Sequence, residues 1–244
     1  MTGGLQAPVG EIDRMRQPLR PGHVLVTLRH MLIVTWRVPE AALKRQLPET
    51  LKPVVELGNG FVSAVLFQNH ALRPALVGVP RLNSFQMNMR TYVIDPQTGA
   101  YGSVFFQGLY LSRAWLARMS SLFFGVPFRY LPFTIGVKHE GNRLANWEAC
   151  SSDRSLAIRA HEVDTDIDLH TLDLLTNPHT GYLQNRRGSL RRWRIWHRPQ
   201  LVHPVQLDCA TVTCLAPLNV GLPTSALYIE SVDYEVYLPP SAAS

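Results

Sequence analysis

Phe85-Gln86-Met87-Asn88-Met89-Arg90-Thr91-Tyr92-Val93-Ile94 runs into Asp95-Pro96-Gln97-Thr98-Gly99 and then into Gly102-Ser103-Val104-Phe105-Phe106. Both outer runs carry β-branched and aromatic residues in alternation with others, which is the pattern of a half-buried strand. Asp, Pro and Gly between them are turn formers, so the stretch predicts a hairpin closed by a loop of about five residues. The same strand signature extends over Ser84–Asp95 and Tyr101–Tyr110. It recurs at Val24–Val38, Phe61–Phe67 and Ala226–Tyr237, and beyond Gly136 at Arg143–Cys150, Ser155–Val163, Ser189–Arg198 and Leu207–Leu215. Helical spacing is rarer. Pro39–Leu47 opens on a first-turn proline and is stopped by Pro48. Ser112–Phe124 begins on a serine cap, places Trp115, Leu116, Met119, Leu122 and Phe123 at helical intervals, and ends at Gly125 and Pro127. A short helix is predicted over Leu169–Leu175, before Asn177-Pro178. Many short strands and few helices indicate an α+β fold, mostly antiparallel β, built as a curved sheet or barrel.

The 244 residues fit one domain of this kind. A hydrophobic fraction of 46% with 17% charged residues supplies a core and excludes intrinsic disorder. No apolar run approaches the roughly 18 residues of a membrane helix. Gly3, Gly4, Pro8, Gly10 and Pro18 interrupt the first twenty residues, which hold no signal-peptide core. The expected organisation is a flexible leader over 1–20 and a single domain over 21–240. Three cysteines, Cys150, Cys209 and Cys214, make no disulfide framework, and a reducing cytoplasm is the expected compartment. Of the 24 basic residues only Lys44, Lys52 and Lys138 are lysine, so amine chemistry has three candidates.

Three clusters invite a chemical reading. Asp164, Asp166 and Asp168, flanked by His161 and His170, would share a face if the segment were a strand, but equally suit a solvated turn before a helix. Their spacing fits neither a calcium loop nor a zinc motif, and no metal site is assigned. Cys209 and Cys214 fall within one apparent strand on opposite faces and read as buried structural thiols. Arg186–Arg198 interleaves arginine with tryptophan. Alternation puts Trp193, Ile195 and His197 on one face and Arg192, Arg194 and Trp196 on the other, as in a strand with one face inward, so nucleic-acid binding is not expected. Gly78-Val79-Pro80 and Gly221-Leu222-Pro223 are turns. No nucleophile elbow, phosphate loop or dinucleotide fingerprint occurs.

Two stretches resemble known families. Arg29-His30-Met31-Leu32-Ile33-Val34-Thr35-Trp36-Arg37-Val38-Pro39, continued by the Glu40–Leu47 helix and Pro48–Pro53, looks like the opening strand and helix of acetoacetate decarboxylases. Asn88-Met89-Arg90-Thr91-Tyr92-Val93 with Gly102–Phe106 resembles a hairpin of the YqjF-like conserved proteins of unknown function, a family placed in the acetoacetate-decarboxylase-like superfamily. Gly181-Tyr182 and Ile195-Trp196-His197-Arg198-Pro199 are similar to a late strand of the same proteins. The resemblance spans about Val24 to Pro239 and implies a curved sheet enclosing a cavity, with the second helix near its mouth.

It also implies a loss. Acetoacetate decarboxylases carry a Schiff-base lysine in a Gly-x-Pro-Lys-Lys turn, and the matching turn here is Gly125-Val126-Pro127-Phe128-Arg129. Arginine stays protonated and forms no imine. Gln86 stands where the family places a catalytic glutamate, and an amide is no general base. By this resemblance Arg29, Gln86, Asn88, Arg90, Phe128 and Arg129 fall on or near the cavity wall. The arginines need an anionic partner, whether ligand or a protein carboxylate such as Glu148. The implied function is a small-molecule-binding protein, or an enzyme of unassigned chemistry, for a mostly apolar ligand carrying an acidic or carbonyl group. It would use no cofactor, metal, nucleic acid or membrane, and self-association into a homo-oligomer is compatible with it. The alternative is a non-enzymatic protein that recruits a macromolecule through an arginine-rich surface.

Overall fold

A computed structural model describes residues 16–76, 81–166, 168–185 and 187–242. The first fifteen residues of the expected leader, the Gly78-Val79-Pro80 turn and Arg186 lie outside the described residues. Residues 16–20 are tied down, because Arg16 pairs with Glu235 at 2.6 Å and Leu19 packs on Trp196 and Tyr237.

The first half of the chain contributes β1 (Val24–Pro39), α1 (Glu40–Lys44), β2 (Lys52–Pro53), β3 (Val55–Glu56), β4 (Asn59–Pro74), β5 (Leu82–Ile94) and β6 (Ser103–Leu111). Helix α2 (Ala114–Phe124) and the short β7 (Phe128–Tyr130) lead into β8 (Phe133–Glu140), β9 (Arg143–Ser151) and β10 (Leu156–Glu162). The remainder forms α3 (Leu169–Thr176), β11 (Thr180–Gln184), β12 (Leu190–His197), β13 (His203–Val212), a 3-10 turn (Thr213–Leu218) and β14 (Ser225–Ala242). Strands run in the order β1-β4-β5-β6-β11-β12-β14, and β14 pairs back onto β1, so seven strands close into a ring. Pairing is antiparallel except where β6 meets β11 and β7. A second sheet, β13-β10-β9-β8, branches from β14 through His203 and Pro204.

Alternation decides what each face of the ring touches. On β4 and β5, Ala64, Leu66, Met87 and Met89 point outward and pack with Phe133, Leu144, Trp147, Ala149 and Ile158 of the second sheet. Val65, Phe67 and Tyr92 point into the ring. β1 needs an irregularity to do both jobs. Val26 and Leu28 face inward at even positions, but Met31 and Ile33 face inward at odd ones, with Leu32, Val34 and Trp36 outward. The phase changes at a bulge between Arg29 and Leu32, where His30 adopts φ +52.

Helix ends follow their local chemistry. Gly125 closes α2 in the left-handed conformation, φ 64. Asp168 caps α3 by accepting from Thr171 N at 2.8 Å. Ser112 does not cap α2 as expected; its Oγ accepts from Phe85 N at 3.0 Å instead. Asp164, Asp166 and Asp168 sit in a connection and not in a strand, and Asp164 pairs with Arg143 at 3.2 Å. The reading of buried thiols fails: Cys150, Cys209 and Cys214 are all exposed. The physical reason for Cys214 is that β13 ends at Val212 and the thiol belongs to the 3-10 turn.

The hairpin loop is built on a buried carboxylate. Asp95 accepts from Gln97 N (2.8 Å), Thr98 N (3.1 Å) and Tyr182 Oη (3.1 Å), and Arg192 lies 3.5 Å away. Burial by itself raises the pKa of Asp95, but these donors outweigh it and hold the group below the usual carboxylate range. Asp95→Asn removes the charge and half of the acceptor capacity. It is expected to destabilise the protein by about 1–3 kcal/mol, read as a lower urea midpoint with an unchanged m-value.

Candidate functional site

The ring surrounds a cavity of about 180 Å³, where a single water needs only on the order of 10–15 Å³. Its walls are aliphatic and aromatic. β1 supplies Val24, Val26, Leu28 and Met31, and β12 supplies Trp193 and Ile195. Helix α2 contributes Leu116 and Ser120, the turn after it Val126, and the start of β7 Phe128. Gly181 of β11 is required by this wall, since a Cβ there would lie 2.4 Å from Trp193 and 2.6 Å from Phe106.

Polar groups enter chiefly from one strand face. On β5 the inward positions Gln86, Asn88 and Arg90 follow one another at intervals of two. Asn69 Nδ2 donates to Gln86 Oε1 at 3.0 Å, and Gln86 Nε2 donates to Asn88 Oδ1 at 2.8 Å. The relay leaves Asn88 Nδ2 with no acceptor among the described residues. Arg90 is 7% exposed. Its Nε and Nη2 donate to Tyr92 Oη at 3.2 and 3.1 Å, and Nη2 donates to the Leu175 carbonyl at 2.5 Å. Nη1 has no partner among the described residues, and no carboxylate pairs with the guanidinium.

Beside Arg90 lies a stack of rings, His179 on His197 (5.9 Å) and His197 on Tyr234 (4.6 Å). His197 is fully buried and its Nδ1 donates to the Arg198 carbonyl at 2.9 Å, while its Nε2 has no partner. Burial, and secondarily the neighbouring His179 and Arg90, pushes its pKa down to about 4. Burial lowers His179 in the same direction. Tyr234 is raised to about 12 by burial, so its hydroxyl stays protonated. The site therefore offers guanidinium, amide and phenol donors to a bound oxygen. Among the described residues no lysine, cysteine, histidine or carboxylate lines the cavity.

Of the residues expected on the wall, Gln86, Asn88, Arg90 and Phe128 line it, and Arg29 and Arg129 do not. Both are exposed because each follows an inward residue, Leu28 or Phe128, and alternation turns it to the outside. Glu148 is not their partner; it is exposed on β9 and faces Arg159 at 3.9 Å. The face shared by Arg192, Arg194 and Trp196 is not the outer face that alternation predicts. Trp196 is buried with Tyr237 and Leu19, and the Arg192 side chain is 13% exposed beside Asp95, which leaves only Arg194 of the three exposed. Tyr92, Tyr234, His179 and His197 escaped the sequence reading as site residues. Tyr92 and His197 could have been found, since each keeps the inward phase of Arg90 or Trp193.

A ring of mostly antiparallel strands around an apolar cavity walled by one helix places the protein among the acetoacetate-decarboxylase-like folds. The acetoacetate decarboxylase of Legionella pneumophila superposes with a TM-score of 0.62 at 13% identity over 93% of this chain and 88% of that one. The enduracididine biosynthesis enzyme MppR bound to pyruvate gives 0.61 at 13% identity, covering 93% and 92%. An acetoacetate decarboxylase-like enzyme from Sphingomonas wittichii gives 0.55 at 15% identity, covering 93% and 94%. Identities this low establish the fold alone. The chain belongs to DUF2071, a family of uncharacterized conserved proteins whose profile matches residues 26–233. No curated protein matches the sequence.

The buried imidazole sets a pH dependence. An unfolded His197 titrates near 6.5 and the folded one at about 4. Between those values the unfolded chain binds the extra proton, so stability falls as pH drops through this window, by about 3 kcal/mol in full. Above the unfolded value the group contributes no pH dependence. His197→Phe keeps a ring against Tyr234 and cannot titrate. Its urea midpoint should change less than the wild type's between about pH 7 and about pH 4.5.

Proposed function

We propose that the protein binds a small, mostly apolar molecule through a carboxylate or carbonyl oxygen held by Arg90 and Asn88. The carrying observation is a buried guanidinium with a spare Nη1 and no carboxylate partner, set in an otherwise apolar cavity. A desolvated cation attracts an anion far more strongly than one in water, and an incoming carboxylate completes its hydrogen bonding. Apolar walls supply the remaining affinity and exclude strongly hydrated ligands.

The site does not support decarboxylation through an imine. The position matching the family's lysine is Phe128. Lys44 pairs with Glu40, Lys138 pairs with Glu140, and Lys52 is exposed. None of the three lines the cavity. Borohydride treatment in the presence of acetoacetate should therefore leave the intact mass unchanged, and a reduced adduct on any of these lysines would contradict this assignment.

The ligand reading is tested with octanoate, using octanol as the uncharged control. Octanoate should raise Tm and bind measurably by calorimetry, and octanol should bind more weakly. Arg90→Gln should weaken octanoate by on the order of 30-fold or more, corresponding to the ~2 kcal/mol lower bound for removing one partner of a buried charge pair. Asn88→Ala should weaken it less. Equal binding of both compounds, or an Arg90→Gln variant that folds and binds octanoate undiminished, would refute the role of Arg90.

A further inference from the structure

Helix α2 is apolar on two sides. Its inner side, with Leu116 and Ser120, forms cavity wall. Trp115, Met119 and Leu122 recur at intervals of four and three, so they form a single stripe on the opposite side. They are exposed by 50%, 40% and 75%. Tyr130, on the adjoining β7, is 53% exposed. Ser121 Oγ reaches the Phe128 carbonyl at 3.5 Å, which ties helix and strand into one surface. Four large apolar side chains held this way form a patch that water does not favour.

The charge around the patch has one sign. Arg113 at the N-cap and Arg118 on the helix are exposed, as is Arg129 on β7, whose side chain also meets the Tyr110 hydroxyl, and none makes an ion pair among the described residues. Between Asp95 and Glu140 the sequence holds no carboxylate at all. A second copy docking through the same face would set these arginines against their own kind with no acidic residue of the segment to offset them. A nucleic acid would satisfy the arginines but offers little to Met119 and Leu122.

We infer that this face docks on an anionic lipid surface, with Trp115, Met119 and Leu122 entering the headgroup boundary and Arg113, Arg118 and Arg129 meeting lipid phosphates. Tryptophan and tyrosine partition to that boundary, and each arginine near a negatively charged bilayer adds attraction. This is attachment at the interface; no helix among the described residues is long and apolar enough to cross a membrane. The docking does not depend on which ligand the cavity holds.

The test uses the full, untagged chain with vesicles of phosphatidylcholine alone and of phosphatidylcholine with phosphatidylglycerol. Co-sedimentation should be tighter with the anionic vesicles by on the order of tenfold or more, and added salt should weaken it. Trp36, Trp147, Trp193 and Trp196 are buried, so Trp115 is the one exposed indole. Anionic vesicles should shift the tryptophan emission to the blue in the wild type and not in Trp115→Ala. Leu122→Ser should weaken sedimentation, and Arg113→Glu with Arg118→Glu should remove the preference for anionic lipid. Three outcomes overturn the inference: no sedimentation with either vesicle, a blue shift that persists in Trp115→Ala, or a dimer in light scattering that Leu122→Ser dissolves.

Discussion

One added residue in β1 makes the rest of the architecture possible. The strand must line the cavity at one end and cover the core between the two sheets at the other. A regular strand presents one parity to one face throughout. The bulge around His30 changes that parity, so Leu28 and Met31 both reach the cavity while Leu32 and Trp36 reach the core. The left-handed backbone at His30 costs on the order of 1–3 kcal/mol. Two contacts offset it. Trp147 Nε1 donates to the His30 carbonyl at 2.9 Å, and His30 Nδ1 meets Tyr228 Oη at 3.1 Å. Trp147 belongs to β9, so the second sheet stabilises the irregularity on which the first sheet's cavity depends.

The same economy governs Arg90. A buried cation without a counter-ion is costly, yet the guanidinium has neutral partners arranged to favour it. One is Tyr92 on the same face of β5. The other is the carbonyl of Leu175, in the last turn of α3, where the helix dipole presents its negative end. These contacts use Nε and Nη2 and leave Nη1 without a partner among the described residues. A carboxylate partner inside the protein would have stabilised the charge more completely.

Alternation within β5 was legible in the sequence and placed Gln86, Asn88 and Arg90 together. Applied with the same rigour it would have turned Arg29 away from the wall occupied by Leu28, and Arg129 away from the wall occupied by Phe128; the family resemblance pulled both inward. The phase change at His30 carries no such signal, because neither glycine nor proline marks it and Trp147, whose indole bonds its carbonyl, is 117 residues away. Ring closure through β1 and β14 is non-local in the same way. The buried state of Trp196 depends on residues 16–20, which their own composition of Pro, Arg and Gln describes as a leader. For Cys214 the hidden feature is a boundary, since β13 ends two residues before it and no turn former announces the end.

One cation, Arg90, lines the cavity and two histidines are stacked beside it, and desolvation acts on these groups unequally. It drives His197 to about 4 and lowers His179, so both imidazoles are neutral near pH 7. A lysine amine in the same surroundings would lose its proton as readily and become a nucleophile. A guanidinium resists, since its charge is spread over a plane and is not given up in proteins. Burial that would activate an amine therefore leaves Arg90 as a permanent charge with a fixed fork of donors. With phenylalanine at the start of β7 and arginine on the adjoining wall, the surroundings that would prepare an amine for a covalent step instead enclose a fixed positive charge beside an apolar cavity.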